Sequence, residues 1–110
     1  MFLAPVIAIP VGFRRVAVTN GQLQLNGRPL LIKGVNRHEH DPYAGHVVTR
    51  ESMRADVLAM KRLHINAVRC SHYPTDEAFY AICDELGMYV VDEATIETLT
   101  RTRTRTLTRT

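Results

Sequence analysis

The chain has 110 residues, 45% hydrophobic content, no tryptophan and two cysteines, which suits one small globular domain or part of a larger one. Its net charge of +3 comes from residues 98–110, a run of Thr and Arg with four arginines and no acid. Subtracting those four from the 14 basic residues leaves 10 against 11 acidic residues. The rest of the chain therefore lacks the basic excess of nucleic-acid-binding proteins, and no nucleic-acid partner is expected.

The first 11 residues are apolar, but Pro5 and Pro10 interrupt them, and the run is much shorter than the ~20 apolar residues that cross a bilayer. We therefore expect no membrane segment and treat 1–11 as a leader whose origin the sequence does not give. Cys70 and Cys83 do not form a disulfide framework, so both are expected to be reduced thiols. This pattern indicates a cytoplasmic protein.

Two tight turns are predicted near the N-terminus, at Asn20-Gly21 and Asn26-Gly27. Both dipeptides favour the turns that join antiparallel strands, so a β-hairpin is expected here. Residues 30–35 are a nearly continuous apolar run, which is typical of a buried strand. A polar loop is expected from Asn36 to about Val48.

Two amphipathic helices are predicted next. Thr49 is expected to cap a helix that runs to about His64, and Thr75 to cap a second one that Gly87 ends. A short apolar strand is expected between the helices, and another over residues 88–91. The apolar stripes have helical spacing; they are Met53, Val57, Met60 and Leu63 in the first helix and Phe79, Ile82, Cys83 and Leu86 in the second.

From residue 30 the predicted order is β-α-β-α-β, which is typical of parallel strands joined by helical crossovers. The chain is therefore predicted to have an α/β fold. Three strands and two helices leave open sheet edges and an incompletely covered core. We therefore expect either that the sheet continues in further sequence or that the chain has difficulty folding alone.

Polar residues follow each of the three predicted strands. They are Asn36, Arg37, His38, Glu39, His40 and Asp41 after the first, Arg69, His72 and Tyr73 after the second, and Asp92, Glu93 and Glu97 after the third. In a barrel of parallel strands these ends meet on one face, where ligands bind. Histidine and asparagine both donate and accept hydrogen bonds, which suits sugar hydroxyls. An arginine holds a carboxylate in its charged form, and a glutamate oxygen suits Mg²⁺.

Three stretches of sequence resemble glycoside hydrolase family 2. Residues 26–40, NGRPLLIKGVNRHEH, resemble the first strand of that family's catalytic barrel. The block 66–91, which begins NAVRCSHYP, resembles the family signature, and 90–98, VVDEATIET, resembles the third strand and its exit. The tripeptide His38-Glu39-His40 resembles the corresponding sequence of the family's β-galactosidases more than that of its β-glucuronidases.

The resemblance implies a domain organisation. Residues 12–29 would be the end of a β-sandwich domain and a linking hairpin. Residues 30–98 would be the first part of a TIM (β/α)₈ barrel, with about three strands and two helices. The low-complexity tail 99–110 is expected to be disordered.

The resemblance also implies roles for individual residues. His38 and His72 would bind the sugar and stabilise the transition state. Asn36, Arg69 and Glu93 would support the site structurally and electrostatically. Glu97 would be a ligand of an active-site Mg²⁺, although Leu99 stands where the family has a second, histidine ligand. A monovalent cation such as Na⁺ would assist in the parent enzyme.

The function implied is hydrolysis of terminal, non-reducing β-D-galactose residues, as in lactose, by a retaining mechanism in carbohydrate metabolism. The acid/base and nucleophilic glutamates of the family have no counterparts in the matched segment, so the isolated chain is expected to be inactive. The parent enzyme is expected to be a homo-oligomer. Two alternatives remain: a non-catalytic truncated or pseudogene product, and a nucleic-acid binder that uses the basic tail.

Overall fold

The computed structural model describes residues 7–9 and 11–95. The chain divides into two compact units, Met1–Leu31 and Ile32–Thr110. Glu97, Leu99 and the Thr/Arg tail lie outside the described residues, so the predictions made for them stay predictions. No helix in the described ranges is long and apolar enough to cross a membrane.

The first unit contains a three-stranded antiparallel sheet in the order β1 (Val16–Thr19), β2 (Gln22–Leu25) and β3 (Arg28–Pro29). Asn20-Gly21 joins the first two strands with positive φ at both residues, 52° and 75°, as the tightest hairpin turns require. Asn26-Gly27, at 51° and 78°, makes the second turn. Both predicted turns are confirmed.

The second unit alternates strands and helices in the predicted order. Its elements are β4 (Gly34–Arg37), α1 (Arg50–Arg62), β5 (Ala67–Cys70), α2 (Glu77–Leu86) and β6 (Tyr89–Val91). The three strands form a parallel sheet in the order β4-β5-β6. The predicted β-α-β-α-β unit is therefore confirmed, and within the described residues no further strand of this unit pairs with β4 or β6.

The first strand of this unit begins later than its apolar run predicts. Leu31 and Ile32 precede β4 and are exposed. Pairing starts where Asn66 engages Lys33: the Lys33 N–H donates to Asn66 Oδ1 at 2.7 Å, and the Lys33 carbonyl accepts from the Asn66 N–H at 3.0 Å. The start of β4 is thus set by a partner distant in sequence, so the prediction of a strand over 30–35 is wrong in its bounds.

Helix α1 begins as predicted, because Thr49 Oγ1 accepts from the Ser52 N–H at 3.2 Å. Met53 and Val57 of its apolar stripe are buried. Leu63 is the C-cap and is 72% exposed. The prediction that Leu63 belongs to the buried stripe of α1 is wrong, because the helix ends at Arg62 and Leu63 lies exposed at its C-cap.

Helix α2 is capped one residue later than predicted. Asp76 is the N-cap, and its Oδ1 accepts from the Ala78 N–H at 2.7 Å. Thr75, the predicted cap, instead donates its hydroxyl hydrogen to Glu39. Gly87 ends the helix in the left-handed conformation at φ 66°, which is confirmed as predicted and suits glycine because it has no Cβ.

The hydrophobic core lies between the helices and one face of the parallel sheet. Its buried members are Met53, Val57, Val68, Cys70, Phe79, Ile82, Cys83 and Met88. Burial is the main cause that raises the pKa of each thiol to about 11, so Cys70 and Cys83 stay protonated at neutral pH and are poor nucleophiles. Both are free and buried, so the prediction of reduced cysteines is confirmed.

Candidate active site at the carboxyl ends of the strands

The sheet register determines which side chains meet on the face away from the helices. Val35, Val68 and Val90 are paired across the three strands and contact the core. In the next row Asn36, Arg69 and Val91 are paired. Because successive strand residues point to opposite faces, that row faces away from the helices, at the carboxyl end of the sheet.

An ion pair joins β5 to the segment after β6. Arg69 Nε donates to Glu93 Oε1 at 2.7 Å, and Arg69 donates a second N–H to Glu93 Oε2 at 2.9 Å. The remaining arm of Arg69 donates to Asn36 Oδ1 at 3.4 Å. This two-point contact fixes both position and orientation of the carboxylate. The structure therefore brings together the three residues predicted to support the site.

The same carboxylate holds the backbone of His72. The His72 N–H donates to Glu93 Oε2 at 2.7 Å. His72 has φ 75°, a left-handed conformation that is rare for residues other than glycine. The loop after β5 is thus held in an unusual conformation at the point where the predicted sugar-contacting histidine lies.

The two predicted sugar-binding histidines are neighbours. The ring centroids of His38 and His72 are 5.1 Å apart, with 45° between the ring planes. The Tyr73 ring is 6.4 Å from His38. Both histidines are exposed, so their ring nitrogens can reach a ligand above the ends of the strands.

Glu39 fastens the loop after β4 to the start of α2. Its Oε1 accepts from the Thr75 hydroxyl and from the Asp76 N–H, the latter at 2.9 Å. Its own N–H donates to the Tyr73 hydroxyl at 3.0 Å, and its carbonyl is 2.8 Å from Nδ1 of His46. From the sequence, Glu39 is only one of the polar residues after the first strand, because no local pattern signals a contact 36 residues along the chain.

Arg37, one of the polar residues after the first strand, does not join the site. Its side chain lies on the helix side, where Nε donates to Asp56 at 2.9 Å and the guanidinium lies 4.3 Å from the Phe79 ring centroid. Asp56 was not recognised from the sequence, since it is an ordinary polar position of an amphipathic helix. The pair joins α1 to the sheet, and Nη1 of Arg37 also lies 4.0 Å from Oε1 of Glu39, so this cation is paired with two carboxylates.

The other polar residues of the strand ends have separate contacts. Asp41 closes a turn by accepting from the Tyr43 and Ala44 N–H groups at 2.8 and 2.9 Å. The His40 ring lies 6.4 Å from that of His46. Burial and then a hydrogen bond with Asp92 raise the pKa of Tyr80 to about 12.

The described residues do not by themselves form a metal site. Residues 7–9 and 11–95 contain no group of three or more histidine, cysteine, aspartate or glutamate side chains that could hold a metal ion. The predicted ligand Glu97 lies beyond them. No chemical step is therefore assigned to Mg²⁺ or Na⁺.

The Glu93 carboxyl is expected to titrate at a lower pH than a glutamate in an unfolded chain. The His72 N–H and then the Arg69 guanidinium lower its pKa. Since the folded-state pKa lies below the unfolded value, the stability that Glu93 contributes is complete above the unfolded pKa and is lost as pH falls through the folded one.

The measurement is a carbon NMR titration of the Glu93 side-chain carboxyl, with Arg69→Gln as the comparison variant. Removing the guanidinium is expected to move the midpoint of Glu93 back upward. A wild-type midpoint at or above that of an unfolded-chain glutamate would contradict the expectation.

Comparison with known proteins identifies the family. Residues 16–108 match the model of the glycosyl hydrolases family 2 TIM barrel domain. β-Galactosidase from Vibrio vulnificus (strain YJ016) is 58% identical over 91 residues, and that from Pectobacterium atrosepticum is 59% identical over 91 residues. Each match covers 83% of this chain and 9% of the relative, so the chain spans less than a tenth of these proteins.

Solved structures agree with the assignment. The GH2 β-galacturonidase from Eisenbergiella tayi bound to galacturonate has a TM-score of 0.72 and 41% identity, covering 77% of this chain and 15% of that one. The β-glucuronidase from Ruminococcus gnavus in complex with C6-substituted uronic isofagomine has a TM-score of 0.72 and 33% identity, with the same coverage. The resemblance seen in the sequence is confirmed, as is the α/β fold: the chain belongs to glycoside hydrolase family 2 and carries an unclosed part of its TIM barrel.

Proposed function

We propose that this chain is part of the catalytic barrel of a β-galactosidase, in which His38 and His72 bind the hydroxyl groups of a terminal β-D-galactose residue. The observation that carries the proposal is the exposed histidine pair, 5.1 Å between ring centroids, at the carboxyl ends of β4 and β5. Imidazole rings donate and accept hydrogen bonds. Such bonds to sugar hydroxyls strengthen in the transition state of glycoside hydrolysis.

The charge balance around the histidines favours a neutral sugar over a uronic acid. Within the described strand ends, Arg37 is turned to the helix side with Asp56 and Arg69 is neutralised by Glu93. Neither guanidinium is available to a sugar carboxylate. The β-galactosidases at 58–59% identity support the same substrate class, whereas the β-galacturonidase and β-glucuronidase structures are more distant at 33–41%.

The two carboxylates beside the histidines support the site rather than cleave the bond. A retaining glycosidase needs a general acid, whose pKa is raised, and a nucleophilic carboxylate about 5–5.5 Å from it. The pKa of Glu93 is lowered instead, and the carboxylate oxygen Oε1 of Glu39 accepts from Thr75 and Asp76. We therefore propose that the 110-residue chain alone does not hydrolyse β-galactosides, and that the parent enzyme takes both catalytic carboxylates from segments outside this match.

The remaining elements of the proposal rest on the resemblance. In the parent enzyme Glu97 would contribute to a Mg²⁺ site that supplies electrostatic stabilisation, with Na⁺ as a further cation. The substrate would be a β-galactoside such as lactose, used in carbohydrate metabolism by a cytoplasmic homo-oligomer.

A chimera tests the proposed function directly. Residues 16–95 would replace the matching segment of the Vibrio vulnificus β-galactosidase, and kcat/KM would be measured with chromogenic β-galactosides and β-galacturonides. We expect the chimera to prefer the neutral sugar. Replacing His38 or His72 with Ala is expected to lower kcat/KM by about 10²-fold, the typical loss for one hydrogen-bond donor at a transition state.

Two controls accompany the chimera. His40→Ala removes an exposed imidazole of the same loop and is expected to leave kcat/KM near the parent value. The isolated chain is expected to show no turnover above its His72→Ala variant. The proposed function would be refuted if the kcat/KM of the chimera did not fall when His38 and His72 were replaced with Ala, or if the chimera preferred the uronide.

A further inference from the structure

We propose that Glu93 is a positioning residue for His72, holding the His72 backbone in its left-handed conformation so that the imidazole lies beside His38. The inference rests on the proposed function, since it assigns a task to a residue that does not itself touch the sugar. It concerns the backbone of His72, which an ion pair between Arg69 and Glu93 alone would not affect.

The first step in the argument is the conformation of His72. A histidine at φ 75° carries a steric cost, because the Cβ crowds its own backbone. Such a conformation persists only where surrounding contacts determine it. The His72 N–H donates to Glu93 Oε2 at 2.7 Å, a short, charge-assisted hydrogen bond of the stronger class.

The second step is that Glu93 is itself fixed. Arg69 holds both of its carboxylate oxygens, at 2.7 and 2.9 Å, and is held in turn by Asn36 Oδ1 at 3.4 Å. A connected row of contacts thus runs from β4 through β5 to Glu93, two residues after β6, and from there to His72. A free carboxylate would lose side-chain entropy on binding the amide, whereas this one is already oriented.

A second ion pair in the same unit shows what is specific about Glu93. Arg54 donates two hydrogen bonds to Glu85, at 2.7 and 2.8 Å. As in the pair of Arg69 and Glu93, each carboxylate oxygen accepts one of them. Both pairs are at least partly exposed. In the described part of the chain the hydrogen bonds of Glu85 come from Arg54, whereas Glu93 also accepts from the His72 N–H, in a backbone conformation that is rare for histidine. Glu85 is therefore a matched control.

The experiment uses the full 110-residue chain labelled with ¹⁵N and needs no sugar. Hydrogen exchange of the His72 amide and the nuclear Overhauser effect between its own HN and Hα would be measured in wild type, Glu93→Gln, Glu93→Ala and Glu85→Gln. This effect is strong at positive φ, because the left-handed conformation brings the two hydrogens close together. Glu93→Ala is expected to lower the protection of the His72 amide by about tenfold or more, as loss of a hydrogen bond to a charged group predicts. It is also expected to weaken the nuclear Overhauser effect.

The control variants separate positioning from a general loss of structure. Glu93→Gln keeps an acceptor oxygen without the charge and is expected to give an intermediate loss, while Glu85→Gln is expected to leave the His72 amide unchanged. Protection of the Val68 amide, in the middle of β5, reports whether the sheet remains folded in each variant.

Several outcomes would overturn the proposal. These are a wild-type His72 amide without protection, a weak wild-type HN–Hα nuclear Overhauser effect within His72, as negative φ gives, and equal effects of Glu93→Gln and Glu85→Gln at His72. If Glu93→Ala unfolds the chain, the wild-type nuclear Overhauser effect and protection still test the proposal. A failed chimera with intact His72 protection would count against the galactosidase function alone, so the two failures are distinguishable.

Discussion

Replacing Phe79 with Ala is expected to remove most of the stability of the βα unit. Phe79 is 0% exposed and lies in the core between α2 and the sheet. Truncating a buried phenylalanine costs about 3–5 kcal/mol, from lost transfer energy and the cavity left behind. A small domain is stable by only about 5–15 kcal/mol, so the loss is a large share of the total.

A second interaction adds to the effect of this substitution. The Phe79 ring faces the guanidinium of Arg37 at 4.3 Å, a cation–π contact worth about 2 kcal/mol when it is desolvated. Arg37 is buried, so Phe79→Ala leaves a charged group beside a cavity. We therefore expect a larger loss than for an aliphatic core residue of similar burial.

Urea unfolding followed by circular dichroism would measure the change. Phe79→Leu, which keeps most of the apolar volume but not the ring, is expected to lose less than Phe79→Ala. Tyr43→Ala removes an aromatic side chain that is 99% exposed and is expected to change the free energy of unfolding by less than about 0.5 kcal/mol. A Phe79→Ala chain within about 1 kcal/mol of wild type would contradict the assignment of Phe79 to the core.

The identity of Phe79 as a core residue could be predicted from spacing alone. Phe79, Ile82 and Cys83 recur at helical intervals, and all three are buried, because a helix packed on a sheet must turn one stripe inward. Leu63 has the same spacing in α1 but falls at the cap. Periodicity therefore predicts which side of a helix is buried, but the point at which the helix ends depends on local backbone contacts.

The sequence could predict which segments of the chain meet at the candidate site. Parallel strands gather their carboxyl ends on one edge, and this rule alone brings Asn36, Arg69 and Glu93 together. The contacts within that edge could not be read in advance. The His72 N–H, at a residue with left-handed φ, donates to Glu93, which is 21 residues away. The Thr75 hydroxyl donates to Glu39, which is 36 residues away. No local pattern encodes contacts over such separations.

Thr75 illustrates why a local sequence pattern can fail to predict a contact in the folded chain. Its sequence position, just before an acidic pair and an apolar stripe, is typical of a helix N-cap. In the fold Glu39 accepts its hydroxyl hydrogen, and Asp76 caps the helix instead. A tertiary contact with a charged acceptor thus displaced the local one.

Replacing Glu39 with Ala is expected to destabilise the unit by about 2–3 kcal/mol and to release the loop that carries His38. Thr75 is buried, with 9% exposure, so its hydroxyl would lose the Glu39 acceptor at a cost of about 1–3 kcal/mol. The start of α2 would also lose a negative charge beside its N–H groups, worth about 0.3–1 kcal/mol. Glu39→Gln keeps a carbonyl acceptor and is expected to cost about half as much.

Glu77→Ala is the matched control, because Glu77 is an exposed carboxylate in the first turn of the same helix. It is expected to lose only the helix-dipole contribution of about 0.3–1 kcal/mol. Thermal or urea unfolding measures the cost, and the nuclear Overhauser effect between the His38 and His72 rings reports the loop.

The two readouts together distinguish an anchor from an ordinary surface charge. If Glu39 anchors the loop, Glu39→Ala weakens the His38–His72 contact even where the sheet amides keep their protection, while Glu77→Ala leaves it intact. Equal stability losses in the two variants with an unchanged ring contact would make Glu39 a surface charge. In that case the 5.1 Å approach of the two histidines would need another cause, and the remaining contacts of that loop, from the Tyr73 hydroxyl and the His46 ring, would be the next positions to replace.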